Sequence, residues 1–146
     1  MNIVIDEQKF KVIAGKLYEQ IISDNYIKQK PTVIGILNGG KIIADYIANR
    51  LNLNIDYIKV SSRGTPGQKG KSSINKFIDI TISDNLLIDR PYLIVDDIAD
   101  SGLTIQIVKR LLPRSKSAVL LTKNTMKTDY YGMVIEDKWV DFYWEE

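Results

Sequence analysis

The chain is expected to fold as an α/β domain, a mainly parallel doubly wound sheet flanked by helices. Three observations carry this expectation. Short apolar runs bounded by Pro, Gly or Asn alternate with segments whose apolar residues recur at helical spacing. Two of those runs are apolar almost throughout and read as buried strands, each followed by a glycine-bearing turn and a helix. The length, 146 residues with a 45% apolar share, suffices for one sizeable core, so a single domain over residues 1–146 is predicted.

Taken in order, Asp6 can cap a first helix whose apolar stripe is Phe10, Ile13, Ala14, Leu17 and Ile21. Pro31 leads into a buried strand over Thr32–Leu37, and Asn38, Gly39 and Gly40 form the turn after it. A second helix follows, with Ile42, Ile43, Tyr46 and Ile47 on its inner face. Residues 54–60 read as a strand with Ile55, Tyr57 and Lys59 on one side. Residues 61–73 are expected to be a loop, because Gly64, Pro66, Gly67 and Gly70 oppose regular structure. Residues 76–82 are strand-like. Pro91 then opens a strand without losing a needed ladder bond, and a helix follows with Ile105, Val108, Leu111 and Leu112 at its core face. Residues 117–123 and 132–135 supply two further strands.

Composition excludes whole classes of chemistry. There is no cysteine, hence no disulfide framework and no thiolate zinc site. There is no histidine either, so a general base must be a carboxylate or a lysine. No apolar run is long enough to span a membrane, and the first residues lack a signal peptide's basic start and apolar core. A cytoplasmic location is the expectation. A formal charge of +2 is too small to argue for nucleic acid as a partner.

The richest motif spans residues 92–104: an apolar strand, the adjacent acids Asp96 and Asp97, a third acid at Asp100, then Ser101, Gly102, Leu103 and Thr104 leading into a helix. Backbone N–H groups at that helix start suit a phosphate, and the Ser101 and Thr104 hydroxyls add donors. Three carboxylates beside a phosphate cradle call for a partner of their own: Mg2+, ribose hydroxyls or a purine N–H. This run closely resembles the phosphoribosyl diphosphate (PRPP) signature of the type I phosphoribosyltransferases. It departs from it at Ser101, where Thr is usual, and at Leu103, where a second Gly is common.

That resemblance extends along the chain from about Pro31. The segment ending Asn38, Gly39, Gly40 resembles the family's pyrophosphate-binding loop, with Asn38 where Lys or Arg is usual. The basic 61–76 segment, with Ser62, Arg63, Lys69 and Lys71, corresponds to the family's mobile flap, which closes over the site and excludes water. At the C-terminal end, Lys123, Trp139, Val140 and Glu145 look like the 6-oxopurine branch, the hypoxanthine-guanine and xanthine-guanine enzymes. The resemblance implies a small C-terminal base-binding hood. There Lys123 would meet the purine O6, Trp139 would stack on the ring, Val140 would offer backbone groups, and Glu145 (usually Asp) would stand near the 2-position and a metal.

By the same resemblance Asp96 and Asp97 would hold Mg2+ and the ribose hydroxyls, and Asp100 would handle the N7 proton. Asp100–Thr104 and Asn38–Gly40 would bind PRPP. The implied partners are PRPP and a purine base, and the implied assembly is a homo-oligomer, dimer or tetramer. Two rivals keep the fold and drop the chemistry: a regulator that binds nucleotide or nucleic acid, and a phosphoaspartyl receiver-like module. All three acids are present, which argues against the first. The second has no need of the 123–139 constellation.

Overall fold

The structure is a computed structural model that describes residues 2–64, 76–81, 87–136 and 138–145, with side chains left undescribed at 61–64, 76–81 and 126. The elements run β1 (Ile3–Ile5), α1 (Glu7–Ile22), a 3-10 turn (Asn25–Gln29), β2 (Thr32–Leu37), α2 (Lys41–Leu51), β3 (Ile55–Gly64), β4 (Lys76–Thr81), β5 (Tyr92–Ala99), α3 (Leu103–Leu111), β6 (Ser115–Thr122), a short 3-10 turn (Thr125–Lys127), β7 (Tyr130–Val134) and β8 (Val140–Phe142).

Among the described residues six strands form the main sheet, in the order β4-β3-β2-β5-β6-β7. All pairs are parallel except β3 with β4. Successive side chains of each strand face opposite sides, and both sides are covered. Val33, Leu93, Val95, Ala118 and Leu120 pack with α1 and α2, while Ile34, Ile36, Ile58, Tyr92 and Ile94 pack with Val108 and Leu112 on the side of α3. The doubly wound expectation is met.

The first helix matches its pattern residue for residue: Phe10, Ile13, Ala14, Leu17 and Ile21 are all buried, and Asp6 Oδ1 accepts the Lys9 N–H at 2.7 Å. An N-cap of this kind stabilises a helix by about 1 kcal/mol. In α2 the buried set is Ile43, Ala44, Ile47 and Ala48, with Ile42 and Tyr46 only half-buried, so the inward stripe is rotated from the expected one. Leu111 is likewise at the surface of α3, and Leu112 takes the core position. In β3 it is Ile58 that is fully buried, whereas Lys59 is exposed.

Two expectations are corrected. Residues 61–64 are not loop: β3 continues through Gly64 and pairs antiparallel with β4, Ser62 opposite Ile78 and Arg63 opposite Phe77. Serine and glycine cost strand propensity, but a partner strand overrides local preference. Lys69 and Lys71 lie outside the described residues. The second correction is an addition. β1 and β8 form a separate parallel pair, Ile3 opposite Val140 and Ile5 opposite Phe142. Beside it, Phe10 of α1 meets Tyr143 and Trp144 edge-on, with Trp144 stacked on Phe142 at 4.5 Å.

Candidate active site

The strand order reverses between β2 and β5: β3 lies outside β2, while β6 and β7 lie outside β5. In open α/β sheets the crevice beyond the carboxyl ends at such a switch point is where ligands bind. Here β2 pairs with β5 only as far as Gly35 opposite Val95, and the chains then part toward Asn38–Gly40 and Asp96–Asp97.

The two turns nevertheless touch. A Cβ added to Gly39 would stand 2.3 Å from Asp97 Oδ2, and one on Gly40 would stand 2.7 Å from the Ile36 carbonyl oxygen and 2.8 Å from that of Val95. A side chain at Gly39 would collide with the Asp97 carboxylate, and one at Gly40 with the Ile36 and Val95 carbonyl oxygens and the Asp96 Cα. The Leu37–Asn38 peptide is cis.

The helices on either side of this crevice begin differently from α1. The first helix has Asp6 as its cap and Glu7 in its first turn. In contrast, the N-cap residues of α2 and α3 are Gly40 and Gly102, which have no side chain to cap with, and neither helix has an acid in its first turn. The Lys41 N–H donates to the Asn38 carbonyl at 3.2 Å, and no carboxylate competes with an anion for the positive end of either dipole. Gly102 is at φ 82°, which favours glycine, and a Cβ there would also meet the Lys127 side chain at 2.9 Å. Ser101 Oγ accepts the Leu103 N–H at 3.3 Å, leaving its own O–H to donate. A cavity of about 90 Å3 is lined by Asp96, Asp100, Ser101, Gly102, Leu103 and Thr104, among others.

Between these two helix starts stand the acids. Asp96 and Asp97 are half-buried, Asp96 Oδ1 accepts the Asp97 N–H at 2.8 Å, and Asp97 Oδ1 accepts the Ile98 N–H at 2.7 Å. Burial, and then the adjacent charge of Asp97, pushes the Asp96 carboxyl well above the usual carboxylate range. Such a pair of hard oxygen donors is relieved by a divalent cation, and Mg2+ is ordinarily held by one or two carboxylates plus substrate oxygens. The residues present therefore fit Mg2+ at Asp96 and Asp97.

Glu145 was expected to stand near the 2-position of the base and a metal. Among the described residues no group of three or more acidic side chains is close enough to hold a metal ion. Glu145 Oε1 instead accepts the Phe142 N–H at 3.2 Å in the turn after β8. It does share a cavity of about 490 Å3 with Asn38, Gly39, Lys41, Ile42 and Trp144, so the C-terminal segment faces the β2 turn.

Lys123, expected at the purine O6, follows β6, where its N–H donates to the Ala99 carbonyl at 3.0 Å. Its Nζ lies 3.2 Å from Asp100 Oδ1, with Lys123 17% and Asp100 71% exposed. A cation and a carboxylate at one ligand edge can hold a proton acceptor and a proton donor side by side. Trp139 is 71% exposed, its Nε1–H donating to Asp141 at 3.0 Å. Val140 is buried in β8, and Ile3 N–H donates to the Trp139 carbonyl at 2.8 Å. In a parallel ladder Ile3 therefore bonds residues 139 and 141, so Val140's own N–H and C=O face the other edge, where β8 has no neighbouring strand among the described residues.

Sequence reasoning missed the aromatic group at the foot of this hood. Trp144 packs against Phe10, Phe142 and Tyr143, and its indole N–H is buried without a partner among the described residues. The Phe10 and Trp144 positions gave no periodic signal linking them.

Residues 2–142 match the model of the phosphoribosyl transferase domain. The chain belongs to the phosphoribosyltransferase family. A xanthine-guanine phosphoribosyltransferase of Desulfotalea psychrophila is 31% identical over 77% of this chain and 69% of its own length. A hypoxanthine-guanine phosphoribosyltransferase of Lactococcus lactis is 29% identical over 95% of this chain and 79% of its own length. The crystal structure of a purine phosphoribosyltransferase from Pyrococcus horikoshii superposes with a TM-score of 0.78 at 25% identity, over 99% of this chain and 94% of that one.

Proposed function

We propose that the chain is a purine phosphoribosyltransferase that transfers the 5-phosphoribosyl group from PRPP to a 6-oxopurine, releasing pyrophosphate, in purine salvage. The observation that carries this reading is the Asp96–Asp97 pair set between two glycine-started helix N-termini without first-turn acids, at the switch point of the sheet. One diphosphate, one ribose and one 5′-phosphate fit that order of charges.

In this reading the amides of residues 101–104 and the Ser101 and Thr104 hydroxyls hold the 5′-phosphate, which makes the transfer effectively intramolecular. The α2 N-terminus and the Asn38–Gly40 turn face the diphosphate. Asp96 and Asp97 accept hydrogen bonds from the ribose hydroxyls and favour the positive charge that develops on the ring as the C1′–O bond breaks. They are also the residues that would hold Mg2+, which when bound supplies charge neutralisation to the departing pyrophosphate. Asp100 takes the N7 proton as N9 attacks, and Lys123, beside it, donates to O6. Trp139 covers one face of the base, and the free edge of Val140 meets the 2-position.

An ammonium has donors and no acceptor, so Lys123 favours an O6 carbonyl over the adenine amino group. Backbone carbonyl groups at Val140 favour guanine and hypoxanthine over xanthine. A panel of free bases with PRPP and Mg2+, followed by pyrophosphate release, tests this. Turnover should be seen with guanine and hypoxanthine and be far weaker with adenine. Adenine as the best substrate would overturn the Lys123 assignment, and no turnover with any base would overturn the enzymatic reading. Cytoplasmic location and assembly into a dimer or tetramer belong to the same reading. They rest on the resemblance; no helix among the described residues is long and apolar enough to cross a membrane. Sedimentation checks the assembly.

A further inference from the structure

The diphosphate end of the site poses a charge problem. Its cavity of about 490 Å3 is lined by Asn38, Gly39, Lys41, Ile42, Trp144 and Glu145 among the described residues, so one anionic and one cationic side chain face it. Asn38 brings no charge to a turn that, on the reading above, receives the most highly charged part of the substrate.

Lys41 is in an odd place for a lysine. It is the first residue of α2, where the helix dipole is positive and cations are disfavoured. Among the described residues it pairs with Asp45, Nζ to Oδ2 at 2.7 Å, one turn further on. A basic residue four positions before an acidic one is the weaker orientation of a helical pair, and with the Lys41 side chain 53% exposed such a bond contributes little. A cation at this position is explained by an anion that comes to it.

The surroundings make the ammonium releasable. Asp45 also accepts the Tyr57 hydroxyl, so it keeps a partner when Lys41 leaves. The Tyr57 ring lies 5.3 Å from Lys41 Nζ. Its placement depends on Gly35 opposite it in the ladder, where an added Cβ would stand 3.0 Å from the ring. The same glycine, a strand residue without a side chain, thus lets β3 carry a holding post for Lys41 against α2.

We propose that Lys41 is a pyrophosphate-binding residue, held by Asp45 in the unliganded chain and transferred to the diphosphate of PRPP or to free pyrophosphate, supplying the charge that Asn38 lacks. This rests on the phosphoribosyltransferase reading of the site. The test compares the wild type with Lys41→Gln, a substitution that keeps helix propensity at an exposed position, with thermal melting as the control for folding. Mg-pyrophosphate and a nucleoside 5′-monophosphate are each titrated calorimetrically, and the KM for PRPP is measured.

Pyrophosphate affinity should fall roughly 10-fold in Lys41→Gln, the worth of one charge-assisted bond at a partly exposed site. The KM for PRPP should rise with it, and monophosphate affinity should hold. Asn38→Lys added to Lys41→Gln should restore pyrophosphate binding, since charge rather than position is what the site needs. Unchanged pyrophosphate affinity in Lys41→Gln, or an equal loss of pyrophosphate and monophosphate binding, overturns the assignment. A wild type that binds neither ligand overturns the underlying reading and the Lys41 assignment with it.

Discussion

Gly39→Ala isolates the contact between the two turns of the site. Gly39 does not have a positive φ, so alanine brings no backbone strain and the perturbation is steric. The new methyl would stand 2.3 Å from Asp97 Oδ2, 2.8 Å from its Cγ and 3.2 Å from Oδ1. The carboxylate must retreat by about 1 Å to reach ordinary van der Waals separation. It cannot do so freely, because Oδ1 accepts the Ile98 N–H at 2.7 Å and the Cα is fixed in β5. Overpacking of this kind costs about 1–3 kcal/mol, a fall of about 3–10 °C in Tm for a domain of this size. Displacing a positioned group by that distance costs about 10²-fold in rate. The assay pairs thermal melting with kcat/KM for PRPP, and adds Gly39→Ala/Asp97→Ala. Removing the carboxylate should return most of the lost stability and none of the activity. Wild-type Tm and activity in Gly39→Ala, or a double variant no more stable than the single one, would refute the contact as the reason for the glycine.

Asp100→Asn should lower turnover by about 10²–10⁴-fold, the usual worth of a positioned acid or base, with melting nearly unchanged because the side chain is 71% exposed; near-wild-type turnover would remove it from the chemistry. Trp139→Ala should weaken nucleoside monophosphate binding by about 1–3 kcal/mol, the range for base–aromatic stacking, and its exposure predicts little change in Tm; unaltered affinity would end the stacking assignment. Asp96 holds its proton more tightly folded than unfolded, so stability is lost as pH rises from its unfolded value of 3.8 through the raised folded value. Asp96→Asn should therefore be more stable than the metal-free wild type at neutral pH, the gap closing in acid, and Mg2+ should raise the Tm of the wild type but not of the variant. A wild type unaffected by Mg2+ would count against the metal at this pair.

The parts of the molecule that were legible are those where one local rule decides. Asp6 and its five-residue stripe specify α1 without help from elsewhere. The acids at the end of β5 and the glycines after β2 could be placed together because ligands gather at strand carboxyl ends. What could not be read depends on pairing at a distance. β1 and β8 are three residues each, too short for periodicity, and β3 passes 60 because β4 offers it a ladder. The Lys123–Asp100 pair joins two strand ends that only the sheet order brings side by side. Glu145 was expected near the 2-position and a metal from the resemblance alone, and the turn in which its carboxylate accepts the Phe142 N–H had no signature of its own.

The β1–β8 pair has a thermodynamic consequence of its own. It is a two-stranded ribbon outside the main sheet, and its ends include an Asn2–Asp141 bond between positions 139 apart. Six residues of ladder cannot match the protection of a six-stranded sheet, so the ribbon should open as its own cooperative unit while the body stays native. Amides of residues 3–5 and 140–142 should then exchange with deuterium well before those of β2 and β5. On the proposed reading, base binding includes closure of this unit, so the intrinsic affinity is multiplied by the closed fraction and the dissociation constant rises accordingly. A substitution at Ile3 or Ile5, remote from the aspartates, would thereby weaken the base and leave the 5′-phosphate untouched.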